Sequence, residues 1–399
     1  MSSVAVAAWL LTLLSVVWVA PTAGAMGAAP ETAAFDTDAS PAAAPGAFEA
    51  APGATGAAPE AGVAETTDRS DRRRGRSTDA IWLPWWLSGP GIGEVAANAG
   101  VFDDVSLFAY DERGCGDIAS TAVMTDPSVI ARAQQAGLDI TATITATGLR
   151  PRQAIRCLGD PVRRRTAVRA VLAILDRHSY YTGIDLNYEH LALTTSPRQA
   201  QRVREAYNAF VTQLCRRVEA RGRDCIVTVM PRTSHGWTVW RDTLMPAVYD
   251  YRTLGEAADR VRIMGYDQHV DGRGPIGGMP WIRRITAFAL REIPPERIEL
   301  GIATYGRVWS PTGVTAITAA SARALAARVG AEVRFHPRQR EATFSYISGG
   351  RRHRVWFSSA ASVAARRRHV ERLGLAGAVY WSAGMAEPGT WSAVQRAAG

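Results

Sequence analysis

Lysine is missing altogether: all 46 residues in the Lys+Arg count are arginine. That removes Schiff-base chemistry and the phosphate-binding lysine of a P-loop. Cysteine is scarce, at four, and the seven histidines include no pair set with a glutamate at helical ligand spacing, so no zinc site is in view. Charged residues make up only 21% of the 399-residue chain against 47% hydrophobic, a balance that excludes a wholly disordered or collagen-like protein and leaves ample material for a core. No metal and no organic cofactor is implied.

What is present in excess is positive charge, a net +9. The arginines cluster at 72–76, 163–165, 351–354 and 366–368 without the interleaved aromatics of a single-strand binder. They read mainly as solvated faces rather than a nucleic-acid surface, although a basic exterior favours contact with an anionic cell wall or envelope.

Residues 5–20 form an apolar run followed by Ala23-Gly24-Ala25, the pattern of a secretory signal peptide over 1–25, with an uncleaved membrane anchor as the competing reading. From Met26 to Asp79 the chain is rich in Ala, Pro and Gly and ends in an arginine run, too poor in large apolar groups to offset ordering entropy, so 26–79 is expected to be a disordered tether. Export to the cell envelope or beyond sets an oxidising context for the cysteines. Cys215 and Cys225 flank a short turn and form the easiest loop to close, which leaves Cys115 with Cys157.

From Ala80 onward eight short β-rich runs recur, at 80–86, 104–110, 139–145, 183–189, 225–230, 261–267, 298–304 and 377–382. Helical patterns separate many of them, at 125–136, 161–177, 197–221, 252–259, 280–291 and 359–373, with Gly137, Gly222 and Gly374 where a helix end wants a left-handed residue. The fold class is α/β, a (β/α)8 TIM barrel over 80–399. A small α+β insertion over about 310–358 fills the long gap before the eighth run, with a helix at 318–329 and short strands near 331–335, 342–347 and 354–358. A doubly wound sheet is the alternative, but Gly89-x-Gly91-x-Gly93 lacks the spacing of a dinucleotide fingerprint.

Chemistry concentrates on the fourth run, Thr182-Gly183-Ile184-Asp185-Leu186-Asn187-Tyr188-Glu189. Strand alternation sends Asp185, Asn187 and Glu189 to one face, the barrel interior, with Glu189 at the C-terminal mouth where proton transfer can occur. An edge strand facing water would give the same pattern. Tyr266 and Asp267 end the sixth run and Trp381 ends the eighth, so three strand ends converge on one mouth.

This segment resembles the DGxDxDxE signature of family 18 glycoside hydrolases, the chitinase-like barrels. Met264-x-Tyr266-Asp267, Trp381 and the insertion extend the likeness over roughly 80–399. The resemblance implies retaining hydrolysis in which the 2-acetamido group of the sugar attacks its own anomeric carbon. Asp185 and Glu189 lie roughly 13 Å apart along one strand at ~3.3 Å per residue, not across a scissile bond, which agrees. Carried over by position, Glu189 protonates the leaving oxygen, Tyr266 bonds the acetamido carbonyl, Met264 and Asp267 line the cleft and Trp381 forms its floor.

Two positions depart from the signature. Thr182 replaces its first Asp, and Asn187 replaces its third, so no negative charge stabilises the developing oxazolinium and no proton can shuttle with Asp185. Slower turnover, by ~10²-fold, and a less elevated Glu189 pKa are expected. The expected function is a secreted, monomeric glycosidase acting on β-linked N-acetylglucosamine polymers, chitin-like or peptidoglycan; the alternative is a silent glycan-binding barrel. Tyr110, with Trp82, Trp85, Trp86, Trp309 and Trp356, is a candidate for stacking on sugar faces.

Overall fold

The computed structural model describes residues 77–236, 245–270 and 272–398. The leader, the arginine run at 72–76 and nearly all of the tether lie outside the described residues.

The barrel strands are, in chain order, β1 (Thr78–Leu83), β2 (Asp104–Gly114), a short hairpin partner β3 (Asp117–Ser120), β4 (Asp139–Thr145), β5 (Gly183–Asn187), β6 (Asp224–Val229), β7 (Arg260–Ile263) and β8 (Ile298–Ala303). Next come β9 (Tyr305–Ser310), β10 (Gly313–Thr318), β11 (Arg334–His336), β12 (Glu341–Ser348) and β13 (Arg351–Phe357) of an insertion, and then the last barrel strand, β14 (Gly377–Trp381). β1 pairs in parallel with both β14 and β2, so the sheet closes on itself, with β3 as an antiparallel appendage outside the ring of eight. This is the (β/α)8 barrel expected. β1 starts at Thr78, so Thr78 and Asp79 belong to the barrel and not to the tether.

Outward-facing Ile, Val and Leu, among them Ile81, Val105, Ile140, Ile184, Val227, Ile263 and Leu300, pack beneath the helices in the main hydrophobic core. The helices at Pro161–Arg177, Pro197–Glu219 and Ala360–Arg372 match the apolar periodicity, and Gly137, Gly222 and Gly374 each adopt a left-handed φ after a helix. Gly89, Gly91 and Gly93 lie within a helix, Ser88–Ala97, that the sequence pattern does not announce. Helices Pro151–Leu158 and Thr390–Ala398 were likewise not anticipated. Both expected disulfides are formed, Cys115–Cys157 and Cys215–Cys225.

The insertion is a five-stranded antiparallel sheet, ordered β10-β9-β13-β12-β11, with the helix Ala319–Arg328 on one face. It starts at Tyr305, earlier than the expected boundary near 310, because β9 follows β8 after Thr304 alone and the two read as one apolar run.

The arginine run at 366–368 is not the solvated face its composition suggests. Arg366 and Arg367 are buried: Arg366 donates to the carbonyls of Gly277 and Ser362 and to Glu341, and Arg367 donates to Asp79 and Glu371. A guanidinium carries enough donors to satisfy several oxygens at once, which lets a helix pin the insertion edge and β1 together. Among the described residues no helix is long and apolar enough to cross a membrane, and no cluster of His, Cys, Asp and Glu could hold a metal.

Candidate active site

One side of the barrel interior is strongly polar, and the other carries an apolar cluster of Ala80, Trp82, Phe108 and Val379. Inward positions carry Asp104 and Ser106 on β2, Thr141 and Thr143 on β4, Asp185 on β5, Thr228 on β6, Arg260 and Arg262 on β7 and Glu299 on β8, all buried. Arg262 sits in the middle. Its Nε donates to Glu299 Oε2 at 2.5 Å, Nη1 to Ser106 Oγ at 2.6 Å and Asp185 Oδ2 at 3.0 Å, and Nη2 to Asp104 Oδ1 at 3.2 Å. Burial works against its charge, and Glu299, Asp185 and Asp104 more than offset that effect, so its pKa is raised. Burial would also lift Glu299, but Arg262 and Arg260 hold its carboxyl down at about 2. Arg262 carries no motif and nothing in its local sequence announces it.

Asp185 also accepts from Trp82 Nε1 at 2.8 Å and Thr228 Oγ1 at 2.7 Å. An indole and a guanidinium can only donate, and both converge on Oδ2. Trp82 is therefore a buried strut beneath the cleft and not a sugar platform.

Above this layer β5 ends at Asn187, two residues earlier than expected. Glu189 leaves the strand with φ −84° and ψ −39° and caps the turn His190–Ala192. It still reaches the same site: Asn187 hydrogen-bonds its carboxyl, and Asp267 and Tyr266 lie within its electrostatic reach. Glu189 is half-buried. Its pKa is pushed up to about 7, first by burial and further by the charge of Asp267, while the Asn187 bond pulls it down. The carboxamide of Asn187 keeps its Oδ1 buried and without a partner. Thr182, in place of the signature's first Asp, donates to the carbonyl of Ile140 at 3.2 Å.

β7 stops at Ile263, and residues 264–267 swing over the mouth. Two glycines permit this. A Cβ on Gly265 would lie 2.5 Å from the carbonyl oxygen of Gly301, and one on Gly301 would meet the Ile263 carbonyl at 2.7 Å and the Tyr266 ring at 3.1 Å. Met264 is buried below the mouth. The Tyr266 ring stacks on Trp381, with centroids 6.4 Å apart and an interplanar angle of 21°. Burial and the nearby Glu189 push its phenol well above its ordinary pKa, so it is a permanent donor. Asp267 takes a left-handed φ of +57° and accepts from Arg307 Nη2 at 2.7 Å and from the hydroxyl of Tyr305, which fastens the mouth to the insertion. Tyr305 and Arg307 went unrecognised in the sequence, where they look like ordinary strand residues.

Trp381 is half-buried and touches Trp82, Trp86, Phe108 and Tyr266, so it is not a sealed core residue. The peptide bond from Trp381 to Ser382 is cis. Tyr110 is not brought here. A bulge between Phe108 and Tyr110 shifts the register of β2 against β4, so Tyr110 pairs with outward-facing Ile144 and is buried against Tyr181. Phe108 faces the cleft in its place. A further contributor, Tyr249, donates to the carbonyl of Tyr188 at 2.9 Å and steadies the backbone next to Glu189.

The sequence profile of glycosyl hydrolases family 18 matches residues 124–386. The putative sporulation-specific glycosylase YdhD of Bacillus subtilis is 26% identical over 299 residues, 72% of this chain and 67% of that protein. The cortical fragment-lytic enzyme of Bacillus subtilis is 28% identical over 197 residues, 47% of this chain, so the match spans only 45% of that relative's length. The crystal structure of a chitinase from Chromobacterium violaceum superposes with a TM-score of 0.71 over 80% of this chain and 98% of its own, at 23% identity, a likeness of fold. With its signature strand, its mouth residues and the profile match in agreement, the chain belongs to glycosyl hydrolases family 18.

Proposed function

We propose that this protein is an exported glycosidase that cleaves β-linked N-acetylglucosamine-containing glycans, chitin-like or peptidoglycan, with retention and by substrate assistance. The observation that carries this is the trio of Glu189, with its pKa near 7, the unpartnered buried Oδ1 of Asn187 and the phenol of Tyr266 around one mouth. A sugar seated on Trp381 presents its acetamido N–H to Asn187 Oδ1 and its acetamido oxygen to the Tyr266 hydroxyl. That oxygen attacks C1 as the glycosidic C–O bond breaks, and Glu189 gives its proton to the departing oxygen. The resulting Glu189 carboxylate then takes a proton from water, which adds to C1 and reopens the ring, and the cycle closes.

Export rests on the apolar run at 5–20 and its small-residue cleavage pattern. The names of the two relatives, which refer to sporulation and cortex fragments, support a wall glycan as substrate. A second reading, a binding barrel with little or no turnover, is favoured by the neutral Asn187 and by Thr182 in place of the signature's acids. Glu189→Gln separates the two: release of reducing ends from N-acetylhexosamine oligomers falls by at least ~10³-fold on the first reading. A wild-type protein that binds the oligomers and releases none across pH 4–9 overturns it.

A further inference from the structure

The face of the insertion sheet opposite its helix is continuous with the mouth. Arg307 of β9 grips Asp267, and directly across the ladder on the same face stand Trp356 of β13, then Thr343 of β12, then Arg334 of β11. The neighbouring row on that face is Trp309, Arg354 and Ser345. At neighbouring strand spacings of about 4.8 Å, Trp356 lies one strand and Thr343 two strands beyond the residue that holds Asp267, the scale of a single sugar unit.

A pocket of about 410 Å³ opens on this face, lined by Arg334, Thr343, Ser345, Arg354 and Trp356, with Glu332 at its edge. Its charges are unevenly matched. Glu332 pairs with Arg334 at 3.0 Å, whereas half-buried Arg354 has no carboxylate and no hydrogen-bond acceptor among the described residues. The insertion's buried arginine, Arg307, is by contrast paired with Asp267. Beside Arg354, the indole nitrogens of Trp356 and Trp309 are buried and unpartnered. Arg354 thus offers a fork of donors next to an aromatic surface with no protein group to receive them.

Building on the proposed glycosidase reading, we propose that this pocket binds a carboxylate carried by the substrate glycan, with Arg354 as the anion clamp and Trp356 as the platform for that sugar. The preferred substrate is then an acidic N-acetylhexosamine strand, bearing a carboxylate on a sugar close to the cleaved bond, and not a neutral homopolymer.

The test uses the full chain carrying Glu189→Gln, so that binding is read without turnover, and three probes: a tetrasaccharide of alternating N-acetylglucosamine and its 3-O-lactyl ether, the same tetrasaccharide with its carboxyls reduced to alcohols, and neutral N-acetylglucosamine tetramer. Calorimetry is expected to give about tenfold tighter binding of the acidic form than of its reduced form. Adding Arg354→Gln is expected to erase that preference while the reduced form keeps its affinity, and Arg354→Lys to retain part of it. Equal affinity for the acidic and reduced probes overturns the proposal, as does a preference that survives Arg354→Gln or a variant that loses all three probes alike. Failure of Glu189→Gln to bind any probe overturns the glycosidase reading itself, a distinct result.

Discussion

Asn187 sets the character of the site because it delivers hydrogen bonds without charge. The elevation of Glu189 to about pH 7 comes chiefly from burial, and the amide bond works against it. A carboxylate at position 187 would add a repelling charge to an already desolvated acid. Asn187→Asp is therefore expected to move the alkaline limb of the kcat/KM profile above its wild-type position near pH 7 and to raise turnover, by up to ~10²-fold. A profile whose limb stays in place, measured from pH 5 to 10, would contradict the assignment of Glu189 as the acid. The sign follows from its role: a general acid works while protonated, so activity is lost as pH rises through its pKa. At this scale the residues that belong to a compact motif, Asp185, Asn187, Glu189, Tyr266 and Trp381, were legible in the sequence. Arg262 and Arg307 were not, because a partner fixed by a fold of high sequence separation leaves no local trace.

At the scale of elements, strand identity was legible wherever β-rich residues bounded by turns marked it, as in β4, whose expected and observed limits coincide at 139–145. Strand ends were less so. The register of β2 depends on a bulge that no residue type signals, and it sent Tyr110 outward. The ends of β5 and β7 depend on backbone that departs from the sheet to make the mouth, which alternation cannot anticipate. Gly301 underlies the departure that carries Tyr266. Gly301→Ala would drive a methyl group against the Ile263 carbonyl and the Tyr266 ring, so kcat/KM is expected to fall tenfold or more with a stability loss of about 1–3 kcal/mol. A variant with wild-type kinetics would show that the placement of Tyr266 does not depend on that contact.

For the whole molecule, the decisive choice is an ion network inside the barrel beside the apolar cluster of Ala80, Trp82, Phe108 and Val379. Arg262 holds three acids together, so Arg262→Met leaves Asp104, Asp185 and Glu299 short of a counter-charge and is expected to cost about 3–5 kcal/mol, read as a lowered melting midpoint at pH 7. The same pairing has a pH signature. Because Glu299 is held at about 2, below its ordinary 4.5, the stability it contributes is present above pH 4.5 and drains away as pH falls through about 2. The difference in melting midpoint between wild type and Arg262→Met is expected to shrink over that acid range. A constant difference down to pH 2 would contradict the role given to the pair.

The seam between β1 and β14 carries a consequence for how the chain reaches this state. Thr78 finds its ladder partner Gly377 about 300 residues further on, so the ring stays unsealed, with two raw sheet margins, until β14 has emerged. Release before β14 is made, or loss of that closing strand, leaves those margins available to other chains, and clumping of the nascent protein is the consequence.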